Sequence, residues 1–273
     1  MKFDIEKYKS VVGRLDDRDI DYDGFRTRPL SEDALRCLRY MHDVELHTAC
    51  YLRDLLVTPA HKDPEMTTFL TCWAFEELWH GEAIGKVLAA HAEPFGNERV
   101  TEVRSRLRDR LDPLVMMVTS SLSRHFSAVH MTWGAVNEWT TQAGYARLVQ
   151  RADHPTLTAL LRRIMKQEGR HIDFYASQAG DRLADSRLAQ RLTRSALTRA
   201  WRPVGSSVMP EAETSHLITY LFGGDDGLDA AARIDRHIDR LPGLAGLGLI
   251  VGTRVEVVAD SEAAAEPALA LAA

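Results

Sequence analysis

Apolar residues recur every three or four positions along most of this chain, the spacing that gathers them on one face of a helix. The pattern runs from Ser31 to about Leu56, with Ser31 as a natural N-cap and Glu32 and Asp33 favouring the first turn. Thr58-Pro59-Ala60 breaks it. A second helix is predicted from Asp63-Pro64, a cap followed by proline at the first helical position, to about His91, closed by Pro94 and Gly96. A polar, arginine-rich stretch spans Glu98 to Arg110. Asp112-Pro113 then starts a pattern reaching about Arg151, with a break or kink expected at Ser120-Ser121. Asp153-His154-Pro155 opens a fourth long helix to about Ala184, and a further one fits 186–201. Two or three shorter helices fit Glu211 to Leu241. Period-two alternation is confined to Thr253–Val258. The expected fold class is therefore all-α. Residues 1–30 form an N-terminal arm with one short helix, 31–205 a helical bundle, and 206–256 accessory C-terminal helices. Residues 257–273, small and repetitive, are expected to be a disordered tail.

Composition narrows the class without naming it. The chain has 273 residues, 45% apolar and 27% charged, enough for a sizeable core. A net charge of −5 gives no electrostatic support for a nucleic-acid partner. The local cluster Arg104, Arg106, Arg108 and Arg110 reads as a solvated helix face. Cys37, Cys50 and Cys72 form no paired motif and read as buried free thiols, which fits a reducing cytoplasm. No signal-peptide core is visible near the N-terminus. No apolar run reaches the ~20 residues of a membrane span; the stretch nearest to one, Leu241–Val251, is short and glycine-rich.

The chemistry lies in a repeated spacing. Glu-x-x-His occurs at Glu77–His80, Glu168–His171 and Glu213–His216. Chance alone supplies on the order of one such match in a chain with this much Glu and His, and Glu213–His216 is read as that accident. The other two lie mid-helix, where positions i and i+3 share a face. Each follows a glutamate on the preceding long helix: Glu45 stands 32 residues before Glu77, and Glu138 stands 30 before Glu168. Two helices giving one Glu each and two giving Glu-x-x-His is the ligand set of di-iron four-helix bundles. Apolar neighbours of Glu77, Glu138 and Glu168 make these glutamates look buried, and four lone buried carboxylates are very costly. Two divalent ions would cancel the charge. Structural zinc prefers thiolates and catalytic zinc takes fewer ligands, whereas a carboxylate-rich set with two imidazoles suits iron or manganese.

Three segments carry a resemblance. Phe75-Glu-Glu-Leu-Trp-His-Gly-Glu82 resembles the E-E-x-x-H-G-[DE] run of the soluble acyl-carrier-protein desaturases. Lys166-Gln-Glu-Gly-Arg-His171 is similar to their D-E-x-R-H run, and Asn137-Glu-Trp-Thr-Thr141 looks like their Q-E-x-x-T run. Glu45 falls where their first-helix ligand would, and the likeness covers roughly residues 35–180. It implies a ferritin-like four-helix bundle with additional C-terminal helices, two iron ions held by Glu45, Glu77, His80, Glu138, Glu168 and His171, and dioxygen as co-substrate. Thr141 would be the hydroxyl beside the oxygen site. The implied substrate is an acyl chain on acyl carrier protein or coenzyme A, with a ferredoxin-type electron donor and a homodimeric assembly. Gln167 stands where the family has an aspartate that orients a histidine, and Trp79 where it has an arginine.

Neighbouring activities stay open. A di-iron hydroxylase or N-oxygenase would use the same ligands on another substrate. A ferritin-like iron-storage protein is a different class, though usually shorter. Radical-generating relatives keep a tyrosine one turn after the first motif histidine, where this chain has Ile84; Tyr175 follows the second histidine instead. Trp73, Met131, Trp133, Trp139 and Phe174 either line a slot for an apolar chain or pack the core. His47, His125 and His130 read as structural histidines, and Glu76 and Glu82 as outward-facing charges.

Overall fold

The structure, a computed structural model, describes residues 3–96, 99 and 107–270, of which 107–112, 122 and 260–270 by their backbone alone. It is all-helical, with no strand among the described residues. The N-terminal arm carries two short helices, α1 (Ile5–Val11) and α2 (Gly24–Thr27). Four long helices form the centre: α3 (Glu32–Leu56), α4 (Pro64–Ala90), α6 (Phe126–Ala152) and α7 (Pro155–Ala184), with α5 (Leu107–Leu122) between α4 and α6. The C-terminal set is α8 (Arg187–Ala200), α9 (Glu211–Phe222), α10 (Gly224–Asp239) and α11 (Leu249–Ala270).

The predicted caps are largely the observed ones. Ser31 accepts from Ala34 N at the head of α3, and Asp63 accepts from Met66 N ahead of Pro64 in α4. At the head of α7 the capping acceptor is His154; Asp153 instead closes α6 in the left-handed region, at φ 42°.

α3 packs along α4, and α6 along α7. Each pair is joined by a short connection, so the partners run antiparallel. The two hairpins face each other through α4 against α7 and α3 against α6, and the main apolar core fills the space between. α8, α9 and α10 pack on the outside of α6, and α9 also on α3.

Four expectations change. The N-terminal arm, expected to hold one short helix, holds two. The long pattern from Asp112 is two helices, interrupted at 123–125, and Pro113 lies inside α5 rather than at its start. Ser120 and Ser121 return their hydroxyls to Met117 O (3.0 and 2.7 Å), the local competition that ends helices, and α5 stops at Leu122. Thr253–Val258 is helical, part of α11. The same helix continues through most of the stretch expected to be a disordered tail. Its sequence is alanine-rich, and alanine has the highest intrinsic helix propensity, so the helix continues on local preference. Of the arginine cluster, Arg104 and Arg106 lie outside the described residues. No described helix is long and apolar enough to cross a membrane.

Candidate metal centre

Each of the four central helices delivers acidic or imidazole groups to one interior point. Glu45 comes from α3, Glu77 and His80 from α4, Glu138 from α6, and Glu168 and His171 from α7. All six side chains are buried. Because i and i+3 share a helix face, each Glu-x-x-His presents a carboxylate and an imidazole together.

The geometry divides into two overlapping groups. One is Glu45, Glu77, His80 and Glu168; the other is Glu77, Glu138, Glu168 and His171. In each, one donor atom per residue lies within 4.8 Å of all the others. Glu77 and Glu168 belong to both. His80 Nδ1 stands 3.3 Å from Glu168 Oε1 and 3.7 Å from both Glu45 Oε2 and Glu77 Oε2. His171 Nδ1 stands 2.9 Å from Glu168 Oε2, 3.0 Å from Glu77 Oε1 and 3.9 Å from Glu138 Oε2.

The outward nitrogens are held as well. His80 Nε2 donates to Gln167 Oε1 (2.9 Å), and His171 Nε2 donates to Glu76 Oε2 (2.9 Å). Gln167 Nε2 in turn donates to Glu76 Oε1 (3.1 Å), so both imidazoles hang on one hydrogen-bonded chain. Such outer partners fix a ligand's tautomer and ring angle and leave Nδ1 of each ring for a metal. Two carboxylates are anchored similarly: Trp73 Nε1 donates to Glu138 Oε1 (3.0 Å), and Tyr145 Oη donates to Glu45 Oε1.

Glu76 corrects the sequence reading. It does not face outward; it is fully buried. Besides His171 and Gln167 it accepts from Tyr8 Oη (2.9 Å), Gly13 N (3.3 Å) and Arg170 Nη2 (2.6 Å). Burial pushes its carboxyl up, but His171 and Arg170 outweigh this and hold it below the ordinary range. Tyr8 and Gly13 belong to the N-terminal arm, which thus closes over this side of the centre.

The residues fit metal ions. Glu45 Oε2, Glu77 Oε1, His80 Nδ1 and Glu168 Oε1 are buried and make no well-formed hydrogen bond. Buried polar atoms are normally satisfied, and here four orphaned donor atoms converge. Without metal, protons balance the charge. Burial and neighbouring carboxylates push Glu45 and Glu138 well above the usual carboxylate range. Burial opposes the charge on His80 and His171, but the surrounding carboxylates outweigh it and raise both well above the ordinary imidazole value. Burial likewise works against charge on Glu77 and Glu168, and hydrogen bonds from the imidazoles hold both below the ordinary carboxylate value. Protons on Glu45, Glu138 and the two imidazoles are thus favoured over bare charges in the cluster. A pair of dications replacing those protons preserves the same balance.

A cavity of about 290 Å3 opens against Glu45, Glu77 and Glu138. An adjoining recess of about 70 Å3 shares Val44, Glu45 and Thr141 with it and ends on Leu217, Ile218 and Phe222. The segment 203–208 roofs the cavity. Tyr40 Oη donates to Val204 O (2.6 Å), and Gly205 lies against α3 at φ 83°, where a Cβ would stand 2.4 Å from Val44. Of the five residues weighed for a slot, Trp73 and Trp133 line this cavity. Met131 and Phe174 are fully buried in the core, and Trp139 stacks on His237 at 5.4 Å. Thr141 borders both compartments.

The remaining singled-out residues fall elsewhere. His130 pairs with Tyr51 Oη (2.8 Å), and burial pushes its imidazole down to about 3, so it is neutral. His47 lines the cavity wall, and His125 precedes α6. Glu213 pairs with Arg36 (2.8 Å) on the outer side of α3, away from the centre. Ile84 is fully buried among apolar side chains, while Tyr175 reaches the cavity. The three cysteines are free thiols, Cys37 and Cys50 buried and Cys72 half-buried.

No protein-family profile, no curated protein and no solved structure matches this chain.

Proposed function

We propose that this chain is an oxygen-dependent oxidoreductase, a ferritin-like bundle holding two iron ions between the Glu-x-x-His helices. One observation carries the reading: two four-residue ligand groups overlap at Glu77 and Glu168. One ion would take Glu45 and His80, the other Glu138 and His171, with Glu77 and Glu168 between them. Six carboxylate and imidazole donors without a thiolate favour iron or manganese over zinc. When bound and reduced, such a pair supplies the electrons that activate dioxygen against an unactivated bond.

The chain's own residues prepare that site. Glu76 and Gln167 orient the imidazoles from behind. Trp73 and Tyr145 steady the two single glutamates. The buried position excludes bulk water, and the cavity admits a substrate to the Glu45–Glu138 side. The motifs resembling acyl-carrier-protein desaturases support an acyl thioester as substrate, reduced through a ferredoxin-type donor, with Thr141 beside the oxygen site. A second reading, hydroxylation or N-oxygenation, is favoured by the mixed polar and apolar wall of the cavity.

The test is oxygen consumption by chemically reduced, iron-loaded protein. Rapid uptake of dioxygen is expected, lost in Glu138→Ala. Iron uptake well beyond two ions per chain, without oxidation of any added organic substrate, would instead mark a storage protein.

A further inference from the structure

The cavity wall has a composition that a bare hydrocarbon chain cannot satisfy. Tyr175 Oη is fully buried, borders the cavity and has no hydrogen-bond partner. Its ring is fixed: it stands edge-on to Phe69 and Trp73, and a Cβ on Gly134 would lie 2.4 Å from it. Thr48 and Thr141 on the same wall make no hydrogen bond to any described residue. Asn137 accepts from Trp201 Nε1 through Oδ1 (3.1 Å), which leaves its Nδ2 to donate. Arg202 borders the same space from its exposed rim. An alkyl chain there would leave these groups desolvated and unpaired, which is unfavourable for each buried one.

The recess beyond Glu45 and Thr141 has the opposite character. Met41, Leu217, Ile218 and Phe222 line it, and burying methylene groups there is favourable. The groups that can give a hydrogen bond include Asn137 Nδ2, the Arg202 guanidinium and the Tyr175 hydroxyl, so the complementary head is an anionic acceptor.

We infer that the substrate is an amphipathic carboxylic acid, with its carboxylate among Asn137, Tyr175 and Arg202 and its apolar tail entering the recess. The inference rests on the di-iron reading for its chemistry and, for the substrate of that same site, puts a free carboxylate in place of the thioester that the motif resemblance suggests. The carbon atoms passing between Glu45 and Thr141 are then the ones presented to the metal pair.

Isothermal titration of the iron-loaded full chain with octanoate tests this, with iron content measured on the same samples. Octanoate is expected to bind with a Kd below about 1 mM. Octanol is expected to bind at least about tenfold more weakly. Tyr175→Phe and Arg202→Gln are each expected to weaken octanoate by about tenfold while two irons per chain are kept. Quenching of Trp73 and Trp133 fluorescence would follow the same isotherm. Binding of octanoyl-coenzyme A without binding of octanoate would overturn the inference in favour of a thioester. Equal affinity for octanol, or no binding by a chain that holds two irons, would also overturn it. Octanoate binding by a chain with no iron would keep the cavity assignment and defeat the metal reading alone.

Discussion

Glu76 Oε2 lies 2.9 Å from His171 Nε2, on the face of the imidazole turned away from the clustered carboxylates. This contact makes a residue outside the ligand set responsible for the orientation of one inside it. Glu76→Ala is therefore expected to weaken metal binding by about 10–100-fold, with Tyr8→Phe having a smaller effect in the same direction. Competition titration with a chromophoric chelator measures both. Unchanged affinity in Glu76→Ala would show that His171 is held by its own helix alone.

Gln167 lies between both imidazoles, accepting from His80 and donating to Glu76. Gln167→Glu keeps the shape but sets a second carboxylate 3.1 Å from Glu76 Oε1. It also removes the donor to Gly13 O (3.0 Å), which ties down the N-terminal arm. The expected loss is about 1–3 kcal/mol of stability, read as a lower urea midpoint. Adding Glu76→Gln relieves the like-charge contact and should recover part of it. If the double variant is no more stable than the sum of its parts, the two residues are not coupled.

Metal binding should release protons. Burial and neighbouring carboxylates raise the pKa values of Glu45 and Glu138, and the surrounding carboxylates raise those of His80 and His171, so the metal-free centre favours the protonated form of each. The ions compete with these protons, so affinity rises with pH. Titration in buffers of different protonation enthalpy should count up to about four protons released per two ions. Release of one or none would contradict the assigned protonation states.

Gly134 is where α6 admits the Tyr175 ring. Since a Cβ would come within 2.4 Å of that ring, Gly134→Ala must shift a fully buried side chain. A loss of about 1–3 kcal/mol is expected from overpacking, seen as a fall in Tm, together with weaker ligand binding in the cavity. A Tm equal to that of the parent would show that the ring has room to move.

The six clustered residues were legible in the sequence because convergence on one point imposes spacing: three residues along one helix, and a near-equal interval between hairpin partners. The same logic separated Glu213–His216, which the structure uses for an Arg36 pair on the surface. Glu76 was not legible. It neighbours Glu77, so it reads as the next charge along a solvated face. What buries it is Tyr8 and Gly13, delivered by an arm more than sixty residues earlier in the chain. Local periodicity carries no information about where such an arm lands. Phe174 and Trp139 were ambiguous for a related reason, since a cavity wall and a core present the same apolar stripe. The alanine-rich C-terminal segment was read as too poor in bulk to fold, whereas helix formation there needs only local propensity.

The central claim is that six buried side chains hold a pair of ions. It is tested most directly by metal analysis and Mössbauer spectroscopy of protein produced with iron, beside Glu138→Ala and Glu213→Ala. Two irons per chain with a magnetically coupled spectrum are expected in the parent and in Glu213→Ala, and loss of the pair in Glu138→Ala. A single ion, zinc in place of iron, or an intact pair in Glu138→Ala would contradict it.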